Sequence, residues 1–252
     1  MITGAVKRNL ASTAMILLES GVPSDLPDSQ GDTPLHLIRN LISVAGKNRK
    51  SSSDDSYSDQ PQLEEICHLV SVLVHQCANN VLDQADSKGR TLLSYAVEAG
   101  DRYVSLTRLL VNLGAKTFSD HLGHQSAFAW FLRAHMRKMG AEVAIDEETF
   151  YVLSHAIHEE VGGSGLKFKA ILDRNMVALG SSPEAHGPLF RRIRGLAAHF
   201  WLQPPQLRLL AVKSIRRSMG PKRLSSKEVI KRLKVPRKLQ RFVTLEEKIP
   251  LN

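Results

Sequence analysis

The stretch "DSQGDTPLHL", Asp28 to Leu37, decides the fold. Its pattern returns as "DSKGRTLLSYA" from Asp86 and as "DHLGHQSAFAW" from Asp120. All three share Asp-x-x-Gly, then a polar residue, then an apolar run. Such self-similarity marks stacked repeats, in which each unit needs its neighbours to bury an apolar face. The local chemistry is that of a tight turn entering a helix. Gly31, and Gly89 in the second copy, supply the left-handed backbone of the turn. Thr33 and Thr91 stand where a hydroxyl caps the helix, and Pro34 at the first helical position has no amide to leave unpaired.

A second signal recurs between these turns. "MILLESGVP" ends near Gly21, "SVLVHQCANNV" near Val81 and "TRLLVNLGAKTF" near Phe118. Each is an apolar pair, two spacers and a glycine-like turn, with Cys77 in the glycine's place in the second. The step from Asp86 to Asp120 is 34 residues and that from Asp28 to Asp86 is 58. On Asp28, Gly31, Thr33, Pro34, Leu35 and His36, and again on Asp86, Gly89, Thr91, Leu93, Ala96 and Gly100, the chain resembles the ankyrin repeat. In the second copy Leu92 replaces the proline, and the third keeps only Asp120 and Gly123. The resemblance implies an all-α solenoid over residues 1–126, with the helix before Gly21 as a truncated first unit. It also implies that His36 ties its own repeat's turn.

The longer first step is explained by "GKNRKSSSDDSYSDQPQ", Gly46 to Gln62. This polar, serine-rich stretch cannot bury enough apolar surface to offset ordering, so it reads as a mobile insertion. A phosphorylation-controlled docking segment is the alternative. The apolar run near the N-terminus is followed by Glu19 and no small-x-small site, which reads as a core helix and not a leader. Cys67 and Cys77 lie ten apart in one helical stretch, about 15 Å, too far to bridge. They read as reduced thiols of a cytoplasmic or nuclear protein.

From residue 127 to 202 the pattern is helical without an evident repeat. "FAWFLRAHMRKMG", "EETFYVLSHAIHEEVGG", "KFKAILDRNMVALG" and "LFRRIRGLAAHFWL" are candidate helices, and "GGSG" at Gly162 to Gly165 reads as a flexible break. They are diverged repeats or a helical linker. No catalytic set emerges. His155 and His158 with Glu159 match no zinc-protease pattern, and His121 and His124 lack further ligands at metal spacing. "AGKN" at Ala45 lacks the first glycine and the Ser/Thr of a phosphate loop. No metal, cofactor or active site is expected.

The net charge of +9 is split. Arg191 to Asn252 holds 17 basic and 3 acidic residues, and residues 1–190 hold 17 and 22. A mildly acidic body thus carries a strongly basic tail, which suits nucleic acid, an anionic surface or an acidic protein. Within it, "PPQLRLLAVKSIRRSMGP" runs from Pro204 to Pro221. Leu207, Ala211 and Ile215 are four apart on a helix, with Leu210 beside them, while Arg208, Lys213, Arg216 and Arg217 fall on other faces. Gly220 and Pro221 stop it. "SSKEVIKRLKVPRKLQRFV" follows, with Ser226 as a cap, Val229, Ile230 and Leu233 as a stripe, Pro236 as the breaker, and Leu239, Phe242 and Val243 as a last stripe.

These two pieces, residues 203–245, resemble a SOCS box (suppressor-of-cytokine-signalling box). Together with the repeats they resemble the ankyrin-repeat and SOCS-box family. That implies an adaptor with no chemistry of its own. Leu207, Leu210, Ala211 and Ile215 would meet elongin C, and Leu233, Val235, Pro236 and Leu239 would meet a cullin with its RING protein. The array would hold a target for ubiquitination. Ala211 replaces the family's cysteine and Lys234 its first proline. The competing reading is an ankyrin scaffold whose basic tail binds nucleic acid or packs on its own repeats, with "KRLKVPRK", Lys231 to Lys238, read as a nuclear import signal.

Overall fold

The computed structural model describes residues 2–7, 11–21, 34–35, 38–39, 42, 60–76, 81–85, 89–117, 126–137, 145–178, 183–198, 200, 207–224 and 226–246. Among these residues the protein is all-helical, without a strand. The helices are α1 (Ile2–Lys7), α2 (Ala11–Glu19), α3 (Gln60–Gln76), α4 (Leu92–Ala99), α5 (Val104–Asn112), α6 (Ala127–Arg137), α7 (Glu147–Glu160), α8 (Gly165–Ala178), α9 (Pro183–Ala197), α10 (Leu207–Leu224), α11 (Lys227–Lys231) and α12 (Arg237–Val243). No described helix is long and apolar enough to cross a membrane.

The helices stack in two layers. In one, α2 packs on α3, α3 on α5, and α5 on α7. In the other, α4 packs on α6 and α6 on α8. The pairs α1–α2 and α4–α5 join the layers. One apolar core runs through the stack from Ile2 to Phe200. Stacking therefore continues past residue 126, where the sequence reading ended the evident repeat.

The capping chemistry accounts for these boundaries. Thr91 caps α4, its hydroxyl accepting the Ser94 amide at 3.3 Å. Gly89 before it has φ +71°, as the turn requires. Residues 34–35, 38–39 and 42 of the preceding copy are helical, with Pro34, Leu35, Ile38 and Ile42 buried on one helical face. Gly31, Thr33 and His36 lie outside the described residues, as do Cys77, His121, His124 and positions 46–59. Helix α3 begins at Gln60, within the last residues of the stretch read as the insertion. Cys67 on α3 is half-buried.

Helices α5 and α7 end alike. After α5, Gly114 takes φ +96° and the Ala115 amide reaches the Leu110 carbonyl at 2.9 Å. After α7, Gly162 takes φ +73° and the Gly163 amide reaches the His158 carbonyl at 2.7 Å. Both are left-handed C-caps that pair otherwise orphaned carbonyls. "GGSG" is thus a hydrogen-bonded helix terminus and not a flexible break. A buried histidine ties α6 to the residue that precedes α7. His135 Nδ1 donates to the Phe131 carbonyl at 2.9 Å, and its Nε2 accepts the Asp146 amide at 3.0 Å.

Candidate functional site

The C-terminal helices α10, α11 and α12 make a small core of their own. Val212, Leu224, Ile230, Phe242 and Val243 are buried in it, with Ile215, Met219, Leu233 and Leu239 packed around them. Gly220 takes φ +71° and ψ 168°, a non-helical conformation that kinks α10 at the glycine–proline pair. Ser226 caps α11, its hydroxyl facing the Val229 amide at 3.5 Å. That helix ends at Lys231, well before Pro236. A proline pushes the residue before it into extended backbone, so the helix must stop early. Gln240 closes the bend: its side-chain amide donates to the Leu233 and Val235 carbonyls at 3.1 and 3.2 Å.

The α10 helix has two faces. Leu210, Ala211, Ser214, Arg217 and Ser218 are exposed on one, and Leu210 retains 47% of its surface. Val212, Lys213 and Arg216 are buried on the other. Burial of the two cations corrects the sequence reading, which set them apart from the packed stripe. Arg216 Nε donates to Glu159 at 2.7 Å, and its Nη1 donates to the Asn112 side chain at 2.9 Å and the Val243 carbonyl at 2.5 Å. One guanidinium thus joins α5, α7, α10 and the end of α12. Lys213 Nζ donates to His158 Nδ1 at 2.6 Å, which places the ring proton on Nε2.

The chain beyond α12 completes the joint. Leu245 adopts φ +60°, a conformation that costs a non-glycine residue about 1–2 kcal/mol. Its side chain is 1% exposed and belongs to the main core, a burial worth about 2 kcal/mol that offsets the strain. Its carbonyl accepts from Arg108, and Arg108 also pairs with Glu148. Burial lowers the Arg108 pKa below its usual value, with Glu246 and Asp146 acting against that shift.

Desolvation pulls the Lys213 ammonium down to about 8, with Glu159 raising it and Arg217 lowering it further. Between roughly pH 8 and 10.5 the unfolded lysine holds a proton that the folded one releases. Stability therefore rises with pH across that window, and below it the cost of the buried charge is constant. Lys213→Met should remove this slope, so that the stability of the parent rises relative to that of the variant between pH 8 and 10. Urea denaturation of both proteins from pH 7 to 10 checks it, read as the difference between them.

The predicted elongin-facing residues divide. Leu210 and Ala211 stand on the free face, whereas Ile215 is half-buried against the small core; the Leu207 side chain is outside the described residues. Of the predicted cullin-facing set, Leu233 and Leu239 pack on the small core, Val235 is half-buried and Pro236 is exposed at the start of α12. His155 and His158 are buried among aromatic rings, with Phe200 against both at 5.2 and 5.0 Å. No group of three metal-ligating side chains occurs among the described residues. Sequence reasoning missed Asn112, Glu159, Lys213 and Arg216 as joint residues. The one available signal was the pair of cations spaced for the inner face of a helix.

No protein-family model, curated protein or solved structure matches the chain.

Proposed function

We propose that this chain is a substrate-recognition adaptor of an elongin B/C–cullin–RING ubiquitin ligase, built as an ankyrin-repeat solenoid with a C-terminal SOCS-box-like module. The observation that carries the reading is the division of α10. Its inner face is consumed by the small core and the joint, while Leu210 and Ala211 remain open on the other. An apolar side chain kept in water beside a small residue suits a helix that lies in a partner's groove. The two-layer stacking and the glycine-ended helices α5 and α7 support the repeat assignment. In this reading the chain does no chemistry. It tethers a target close to the charged ubiquitin carrier and so raises its effective concentration there.

The scaffold reading has one observation in its favour: the C-terminal helices pack on the helical stack through Arg216, Lys213 and Leu245. The same contacts weaken the nucleic-acid reading, since Lys213 and Arg216 are buried and cannot reach phosphates. Co-expression with elongin B/C separates the two. The adaptor yields a complex that survives gel filtration, and the scaffold elutes alone. Within the adaptor reading, Ala211→Cys restores the side chain that the family places against elongin C. It should tighten the complex by about 1 kcal/mol, roughly fivefold, as read by calorimetric titration.

A further inference from the structure

Between α3 and α5 on one side and the C-terminal module on the other lies a groove of about 900 Å³. Its apolar lining comes from Leu63 on α3, Leu109 on α5, and Leu224 and Ile230 of the module. The module's wall is cationic. Lys231, Arg237 and Arg241 line it, all three exposed, and none forms an ion pair with a described residue. Arg237 and Arg241 are four apart on α12 and so share one face. Among the described lining residues the opposing charges are Glu64 on α3 and Glu246 at the end of the module; Arg108, also in the lining, is already held by Glu148 and the Leu245 carbonyl.

We propose that this groove binds an acidic peptide segment of a partner protein, its carboxylates against Lys231, Arg237 and Arg241 and an apolar side chain on the leucine–isoleucine floor. The volume falls in the upper part of the range of ligand pockets. Three cations on one wall, without an ion pair to a described residue, favour an anionic occupant through charge complementarity. A nucleic acid is disfavoured on two counts. No aromatic side chain among the described residues lines the groove to stack a base, and the Glu64 and Glu246 carboxylates repel a phosphodiester chain. A peptide carries discrete carboxylates and can hold its apolar side chains between them. The groove is lined by residues other than the exposed face of α10, so the proposal stands whether or not that face binds elongin C.

The test is fluorescence anisotropy on the full-length chain. The probe is a short fluorescein-labelled peptide of glutamates and aspartates around a central leucine pair. Saturable binding is expected that weakens as salt rises. Arg237→Glu with Arg241→Glu should reduce affinity by at least about tenfold. Arg174→Glu, on the exposed face of α8 and outside the groove, should leave it unchanged. Both double-variant positions are exposed, and an unaltered melting curve verifies the fold. Three results would overturn the proposal. One is undiminished affinity in the double variant. Another is equal or tighter binding of single-stranded DNA at the same residues. The third is binding only after residues 46–59 are deleted, which would make this chain's own serine-rich segment the occupant.

Discussion

Arg216→Ala lowers the stability of the folded chain by about 3 kcal/mol, the largest loss expected from any single polar side chain at the joint. Arg216 is 4% exposed and its three acceptors lie on three different elements. Truncation strands the Asn112 oxygen and the Val243 carbonyl away from their donor and leaves the Glu159 carboxylate without its cation. Glu159 keeps 21% of its side-chain surface, so water recovers part of its solvation and the loss stays at the low end of the range for a broken buried pair. For a chain of this size that loss corresponds to a fall in melting temperature of about 6–12 °C. Arg216→Lys should rescue little, because an ammonium cannot span acceptors that the planar fork reaches together. Hydrogen exchange locates the damage: amides of α10 to α12 lose protection first, ahead of α4 and α6.

Leu210→Glu has the opposite profile, with little effect on folding and a large one on binding. The Leu210 side chain is 47% exposed and makes no part of either core, so the free chain should melt within about 0.5 kcal/mol of the parent. Against elongin C the substitution forces a carboxylate into an apolar groove without a partner. That costs several kcal/mol and should reduce affinity by roughly a thousandfold. Leu207→Glu should act in the same direction. A scaffold whose tail serves only its own repeats predicts no binding to lose. A nucleic-acid tail predicts that charge reversal at Lys231, Arg232, Arg237 and Lys238 dominates instead, with steep salt dependence.

The helices were legible where periodicity and capping agree. Thr91 and Gly89 mark the start of α4, and the amphipathic stretches from residue 127 onward became α6 to α9. The continuation of the stack past residue 126 was hidden because Gly162, the glycine that ends α7, sits inside a run that resembles a linker. Position along the helix, and not local composition, gives it its structural role. The joint was hidden for another reason. Arg216 meets Glu159 and Asn112 across 57 and 104 residues of sequence. Composition assigns lysine and arginine to solvent, and only tertiary partners make their burial tolerable. The free face of α10 was legible in Leu210 and Ala211. Ile215 was drawn into the same stripe by spacing, and the module's own core claimed it.

Calorimetric titration of purified elongin B/C into the full-length chain tests the adaptor reading most directly. The predicted result is a saturable one-to-one complex of micromolar affinity or tighter, abolished by Leu210→Glu in a protein that melts normally. Absence of binding at micromolar concentration, or undiminished binding by the Leu210→Glu protein, would contradict it.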